Sequence, residues 1–331
     1  MKIIITGGSG LIGETLSHLL EDKGHVVSHL RRLQSNNQSD KKDLTSKKNI
    51  FWSNPEILNG ADTVIHLAGA NVAKPWTKRY KGEILNSRTE GTSALIDACL
   101  ICENPPKQVI SASGIGYYPE SLNVELNEDH AMGDAFLAQV CAAWEKSLTR
   151  PFPLPFDVSI VRTGLVLSNK SKIVKAAQSQ FLFSGMVGSV GSHENMWSWI
   201  HIHDLCNLYI ALAEQKLSPG IYNGVSPNPC TQGEFGKAYE IHPSLHLPWY
   251  LAGWKLQWWI AKGFNRLIRK LNIQLRPIVP AWLMRLAWGE RSAIALTNQK
   301  VTTSKTLDQG FCYQYPNIKS ALQQLQSHPK V

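Results

Sequence analysis

Met1-Lys-Ile-Ile-Ile-Thr-Gly-Gly-Ser-Gly-Leu-Ile-Gly13 is the stretch that decides the fold. The short apolar run Ile3 to Ile5 enters a glycine cluster, and helix-compatible residues follow from Leu11 onward. The segment therefore reads as buried strand, tight turn and helix. Glycines at 7, 10 and 13 also contain the tighter Gly8-x-Gly10-x-x-Gly13 spacing. Bare backbone lets the chain turn sharply, lets a pyrophosphate approach the amides, and lets the helix pack closely on the strand. The helix start at Leu11, Ile12 and Gly13 then offers free N–H groups and a partial positive charge to phosphates. The bland alternative is a plain glycine turn, which the flanking strand and helix disfavour.

Working outward, Leu11 to Lys23 reads as the first helix, ended by Gly24, and His25 to Leu30 as the second strand. The tip of that strand faces the adenosine ribose in a site of this kind, and a carboxylate there would bind the 2′-hydroxyl. Arg31 and Arg32 stand at the tip instead, and guanidinium groups match a 2′-phosphate, so NADP(H) is expected over NAD(H). A solvated basic turn is the competing reading. Asp62 to Leu67 is a further buried strand running into Leu67-Ala68-Gly69-Ala70, small residues that allow close approach of a cofactor. His66 reads as a core histidine. A long helix over about 78–102 and a strand over 108–113 lead into Ser113-Gly-Ile-Gly-Tyr117-Tyr118.

At 331 residues, with 43% hydrophobic residues, the chain can bury a substantial core. Its start lacks a secretory pattern and no apolar run is long enough to span a bilayer, so a cytoplasmic protein is expected. Six cysteines without a tight framework fit reduced thiols, and Cys99-x-x-Cys102 has neither a second pair nor a nearby histidine. No metal site is expected. No nucleic-acid-binding motif accompanies the net charge of +9, so no nucleic-acid partner is expected either.

Motifs spread over almost the whole chain carry a resemblance. They are Thr6-Gly-Gly-Ser-Gly-Leu-Ile-Gly13, Leu67-Ala-Gly-Ala-Asn71, Trp76 with Glu83 and Ser87-Arg88, Ile110-Ser-Ala-Ser-Gly-Ile-Gly-Tyr-Tyr118, Asp134 to Glu145, Arg162-Thr-Gly-Leu-Val-Leu167, Trp197 to Leu205, and Asn223-Gly-Val-Ser-Pro-Asn-Pro229. In order and spacing they resemble the atypical, epimerase-like extended short-chain dehydrogenases/reductases of class 39U, within the NAD-dependent epimerase/dehydratase superfamily. The resemblance implies that Arg31 and Arg32 contact a 2′-phosphate and that Leu67 and Ala68 lie along the cofactor. It further implies that Glu83 and Arg88 are a polar pair against NADP, and that Val166 sits nearer the nicotinamide. Without it, Glu83 and Arg88 would read as a surface pair on one helix.

Ordinary members of this superfamily orient the substrate oxygen with Ser or Thr and use a Tyr-x-x-x-Lys helix, in which the lysine lowers the tyrosine pKa. Ser113 matches the serine position. Counted back from Glu145, however, Leu137 stands where the tyrosine belongs and Cys141 where the lysine belongs. Tyr117, Tyr118 and Cys141 are the alternative proton donors, with aromatic packing the competing role for both tyrosines; Ser113 and Tyr117 are the catalytic candidates.

In the second half, Gly185 to Gly191 suits a pocket lining, and His201, His203 and Asp204 read as structural, with Asp204 as a helix cap. Pro248 to Arg291 reads as an insertion holding six of eleven tryptophans and eight Lys and Arg against one Glu. Its segment 254–272 forms a basic amphipathic helix, expected to contact a membrane surface or a partner, or to cover the pocket.

The sequence thus predicts a Rossmann-like, doubly wound parallel α/β sheet with a smaller C-terminal substrate lobe. Residues 1–170 form the NADP-binding domain, with strands continuing to about 225, and residues 171–331 form the substrate lobe and small C-terminal domain. The expected activity is an NADP(H)-dependent oxidoreductase or nucleotide-sugar-epimerase-like reaction on an unknown small molecule. A non-catalytic NADPH sensor is the alternative.

Overall fold

A computed structural model describes residues 1–31, 52, 54–184, 187–241 and 278–327. Among these, six strands form one sheet: β1 (Lys2–Thr6), β2 (Val26–Leu30), β3 (Thr63–His66), β4 (Gln108–Gly114), β5 (Asp157–Thr163) and β6 (Ile221–Gly224). Their order is β6-β5-β4-β3-β1-β2 and every neighbouring pair is parallel. This is the doubly wound arrangement that the sequence predicts.

Parallel strands need helical crossovers, and these cover both faces of the sheet, so each strand is apolar on both sides. Ile3 and Ile5 of β1 point into a cluster with Leu16 and Leu20 of helix α1 (Leu11–Asp22), while Ile4 points to the other side, with Val64, Leu95 and Ile96. All three isoleucines are fully buried. Leu95 and Ile96 belong to helix α2 (Lys78–Leu100), which packs beside helix α3 (Phe136–Lys146). The chain leaves β1 toward β2 and returns past β1 to β3, so the winding reverses at β1, where an open α/β sheet has its crevice.

Beyond β5 the chain builds a second core from helix α4 (Lys172–Ser184), Trp197, Trp199 and two further helices. The helices are α6 (Gln232–Ile241) and α7 (Ile318–Ser327); α5 (Ile202–Ala213) instead packs against the sheet beside α1. Two pairings stitch the end of the chain to earlier parts of it. Gln299–Val301 pairs in parallel with Ser121–Leu126, and the Asp204 carboxylate accepts the backbone N–H groups of Gln314 and Tyr315 at 2.7 and 2.9 Å. Asp204 is therefore not a helix cap: the cap of α5 is His201, whose ring nitrogen accepts the His203 N–H at 3.2 Å. Burial holds the Asp204 carboxyl above its usual range and pushes His201 down to about 4. The segment 254–272 and Arg32 lie outside the described residues. Among those described, no helix is long and apolar enough to cross a membrane.

Candidate cofactor and active site

The glycine turn sits at the carboxyl end of β1 and is closed by backbone alone. Gly10 N–H donates to Gly7 O at 3.0 Å, and Gly7 has φ +74°, a conformation natural to glycine. A Cβ at Gly13 would lie 2.4 Å from Gly7 O, so only glycine lets α1 start this close to the strand. No side chain caps α1 at Gly10, which leaves the first-turn N–H groups of Leu11, Ile12 and Gly13 facing the crevice without a capping partner. Glycine is needed at position 7 for a second reason: a Cβ there would lie 2.8 Å from the Leu67 carbonyl carbon.

Leu67, Ala68 and Gly69 pass directly beside this turn. Leu67 N–H donates to Thr6 O at 3.1 Å and Ala68 N–H to Thr6 Oγ1 at 3.4 Å. Under the same loop lies Arg88, with its guanidinium 3.0 Å from where a Gly69 Cβ would stand. Its Nη1 donates to Ala70 O and Ile84 O, both at 3.1 Å, and its plane lies over the Trp144 ring at 5.0 Å. Burial lowers its pKa. Leu11, Ile12, Leu67 and Val166 are all partly buried and packed against the same hydrophobic core cluster. Val166 lies in the short strand Leu165–Leu167, paired opposite Ile200. Arg31 follows β2 directly and is exposed.

Glu83 stands apart. It is exposed on α2 and pairs with Arg79 at 3.6 Å, while Arg88 points inward. Five positions on a helix are turned about 140° from each other, so the two side chains leave α2 on different faces.

Beneath Arg88 runs a buried polar chain. Thr6 Oγ1 and His66 Nδ1 are 2.6 Å apart, His66 Nε2 and Thr92 Oγ1 are 3.0 Å apart, and Trp144 Nε1 donates to Thr92 Oγ1 at 2.9 Å. His66 is fully buried, and burial pushes its imidazole down to about 3, so it is neutral and internal.

The region where proton transfer would occur is built differently. Ser113, 5% exposed, donates its hydroxyl to Glu145 Oε1 at 2.7 Å. Arg162 clamps the same carboxylate in bidentate fashion, Nε to Oε1 at 2.9 Å and Nη2 to Oε2 at 2.8 Å. Its Nη1 donates to the Tyr118 hydroxyl at 2.9 Å and to Glu128 O at 3.0 Å, and Tyr118 donates onward to Asn223 Oδ1 at 2.7 Å. Burial pushes the Tyr118 hydroxyl up to about 12. Tyr117 lies with its ring against the Arg162 guanidinium at 3.6 Å, and its hydroxyl makes no hydrogen bond among the described residues. Leu137 packs on Gly116, at 3.2 Å from a Cβ placed there. Cys141, beside Gly114, is buried and pushed up to about 11, which makes it a poor thiolate or acid at neutral pH.

Glu145, Arg162 and Asn223 are the residues that sequence reasoning left without a role, and Tyr118, offered there as a proton donor, has its hydroxyl engaged between Arg162 and Asn223. One signal was present: Arg162 interrupts the apolar strand Val158–Thr163, and an arginine in such a place needs a carboxylate.

Comparison with known proteins shows the family and the fold. The model of the NAD dependent epimerase/dehydratase family matches residues 3–223, and a domain of unknown function, DUF1731, matches residues 279–325. An epimerase family protein of Staphylococcus haemolyticus is 30% identical over 329 residues, 98% of either chain. The crystal structure of the human epimerase family protein SDR39U1 with NADPH superposes with a TM-score of 0.77 at 25% identity, covering 99% of both chains. A nucleoside-diphosphate sugar epimerase of Corynebacterium glutamicum shares the fold, with a TM-score of 0.68 at 24% identity over 99% of this chain and 58% of that one.

Proposed function

The chain belongs to the NAD dependent epimerase/dehydratase family, and from that premise we propose that it is an NADP(H)-dependent oxidoreductase acting on a small molecule. One observation carries the reading. Uncapped N–H groups at Leu11 to Gly13 open on a crevice floored by Leu67 to Gly69, and an arginine follows the neighbouring strand where a 2′-phosphate would reach. The NADPH that accompanies the human relative fits that reading.

The glycine turn would hold the pyrophosphate and Arg31 the 2′-phosphate. Leu67, Ala68, Gly69 and Arg88 would line the cofactor, with Val166 toward the nicotinamide. Bound NADP(H) supplies hydride transfer. The chain's own contribution at the reacting end follows from its hydrogen bonds. Because Ser113 gives its only proton to Glu145, its oxygen is left as an acceptor, which suits a substrate hydroxyl better than a carbonyl. We assign the substrate proton to Tyr117, which is supported by its hydroxyl making no hydrogen bond among the described residues while its ring lies against Arg162.

Anaerobic mixing of the protein and NADP⁺ with a panel of small alcohols, and of protein and NADPH with the matching carbonyls, tests this at the nicotinamide absorbance. Turnover that falls at least about 100-fold in Tyr117→Phe is the expected outcome. A second reading, an NADPH sensor without turnover, is favoured by the filled positions of Leu137 and Cys141. Tight NADPH binding with no change across both panels would select it.

A further inference from the structure

The sheet has a second concave end. Gln108 opens β4, Asp157 opens β5, and the turn 215–219 leads from α5 into β6, so the amino ends of three neighbouring strands border a cavity of about 400 Å³ at the far end of the sheet from the glycine turn. Gln108 is the buried polar member of its lining, 4% exposed. Its amide nitrogen has two protons and spends both, on Thr63 Oγ1 at 3.0 Å and on Ala213 O at 2.7 Å. That fixes the orientation of the amide and leaves Oε1 without a partner among the described residues, a costly state for a buried carbonyl unless something in the cavity donates to it. Asp157 is exposed, and its carboxylate has no ion pair or hydrogen bond among the described residues. Lys107, whose carbonyl accepts the Asp157 N–H at 3.1 Å, and Lys216 of the lining spend their charges elsewhere, on Asp62 Oδ1 at 2.6 Å and on Glu214 Oε2 at 2.5 Å. Gln215, also in the lining, holds φ +55°, where glycine is favoured; the turn is closed by its N–H to Leu212 O at 3.0 Å and by Lys216 N–H to Ala211 O at 2.9 Å. A glutamine kept in that conformation sets an amide at the cavity at a cost to the fold.

We propose that this cavity is a second small-molecule site and that it takes an amino alcohol. Its two unspent groups, Gln108 Oε1 and the Asp157 carboxylate, are both acceptors, and one carries a negative charge, so the ligand must bring donors and a positive charge. The ammonium belongs at Asp157, where water still reaches and where the carboxyl end of α5 adds partial negative charge. The hydroxyl belongs at Gln108, because one buried carbonyl can repay the desolvation of a hydroxyl and not that of an ammonium. Leu217, 5% exposed, and Pro219 supply apolar lining for the carbon chain between the two ends.

Calorimetric titration of the full chain with linear amino alcohols of three to six carbons tests the proposal, with the alkylamine and the alkanol of the same length as controls. The best amino alcohol should bind saturably at one site, and each control at least about tenfold more weakly, since each lacks one of the two polar ends. Asp157→Asn, at an exposed position, should weaken amino alcohol binding at least about tenfold with Tm unchanged. Gln215→Gly should raise Tm while weakening binding, the signature of a residue kept for a ligand and not for the fold. NADPH should bind equally well with the cavity filled or empty. The absence of saturable binding across the series, equal affinity for the amine lacking the hydroxyl, or full binding in Asp157→Asn overturns the proposal. Displacement of the amino alcohol by NADPH also overturns it, because that puts the ligand in the crevice at the other end of the sheet.

Discussion

The glycine turn and the Ser113 region lie at the same edge of one sheet and are made in opposite ways. At the turn, side chains are removed: Gly7, Gly10 and Gly13 let backbone meet backbone, and the N–H groups at the start of α1 are left for something else to satisfy. Around Ser113 the polar side chains, Tyr117 apart, satisfy one another. Its hydroxyl, the Glu145 carboxylate, the Arg162 guanidinium and the Tyr118 hydroxyl are all engaged with one another. A region with open donors is ready to take a ligand; a region whose donors are internally satisfied holds its own shape and asks little of a ligand. The glycine turn leaves donors uncapped, whereas Leu137 and Cys141 are packed where ordinary members of the superfamily carry Tyr and Lys.

The contrast can be broken most severely from the filled side. Glu145→Leu strands the Arg162 guanidinium, 3% exposed, without its partner. Unfolding free energy should fall by about 3–5 kcal/mol in urea titrations, since removing one half of a buried pair leaves an uncompensated charge. A loss below about 1 kcal/mol would mean that the clamp is solvated and the region is not solid.

The open side is tested by Gly13→Ala, whose methyl would meet Gly7 O and Gly8 Cα at 2.4 and 2.7 Å. Both are backbone atoms, so the turn itself must move. NADPH affinity should drop at least about 100-fold in calorimetric titration while stability falls by only about 1–3 kcal/mol. Equal, small effects on both would show that the turn does not position a cofactor.

A smaller effect tests the ground beside the glycine turn through His66, which ties Thr6 of β1 to Thr92 of α2. Burial holds its pKa at about 3, below the unfolded value of about 6.5. The stability it contributes is complete above about pH 6.5 and is lost progressively as pH falls toward its folded value, because the unfolded chain binds the proton more tightly. At pH 5 this is worth about 2 kcal/mol, and His66→Gln should flatten the decline. An unchanged pH profile in that variant would remove His66 as the cause.

What could be read from the sequence follows the range of the interactions. Strand, turn and helix over residues 2–22 are local, and the spacing of three isoleucines and three glycines carries them, so the doubly wound class was legible while the strand order came from the structure. The loss of the tyrosine and lysine was equally legible, because it needs only the register of one helix. The clamp was not, because Glu145 on α3 meets Arg162 on β5, and Tyr118 bonds both Arg162 and Asn223 on β6, through tertiary packing that no spacing encodes. Helix geometry also separates Glu83 from Arg88, which motif matching had joined. Asp204 looked like a cap because it lies in the first turn of α5; its partners are more than a hundred residues downstream, where no local pattern could reveal them.

The parallel pairing of Gln299–Val301 with Ser121–Leu126 has a consequence for how the molecule is made. Those late residues leave the ribosome after the whole nucleotide half, so a nascent chain can assemble its sheet while the Ser121–Leu126 edge waits unpaired. Maturation should then end in a distinct late step, and a premature stop codon shortly before Gln299 would yield a protein that is mostly folded yet sticky along that one seam.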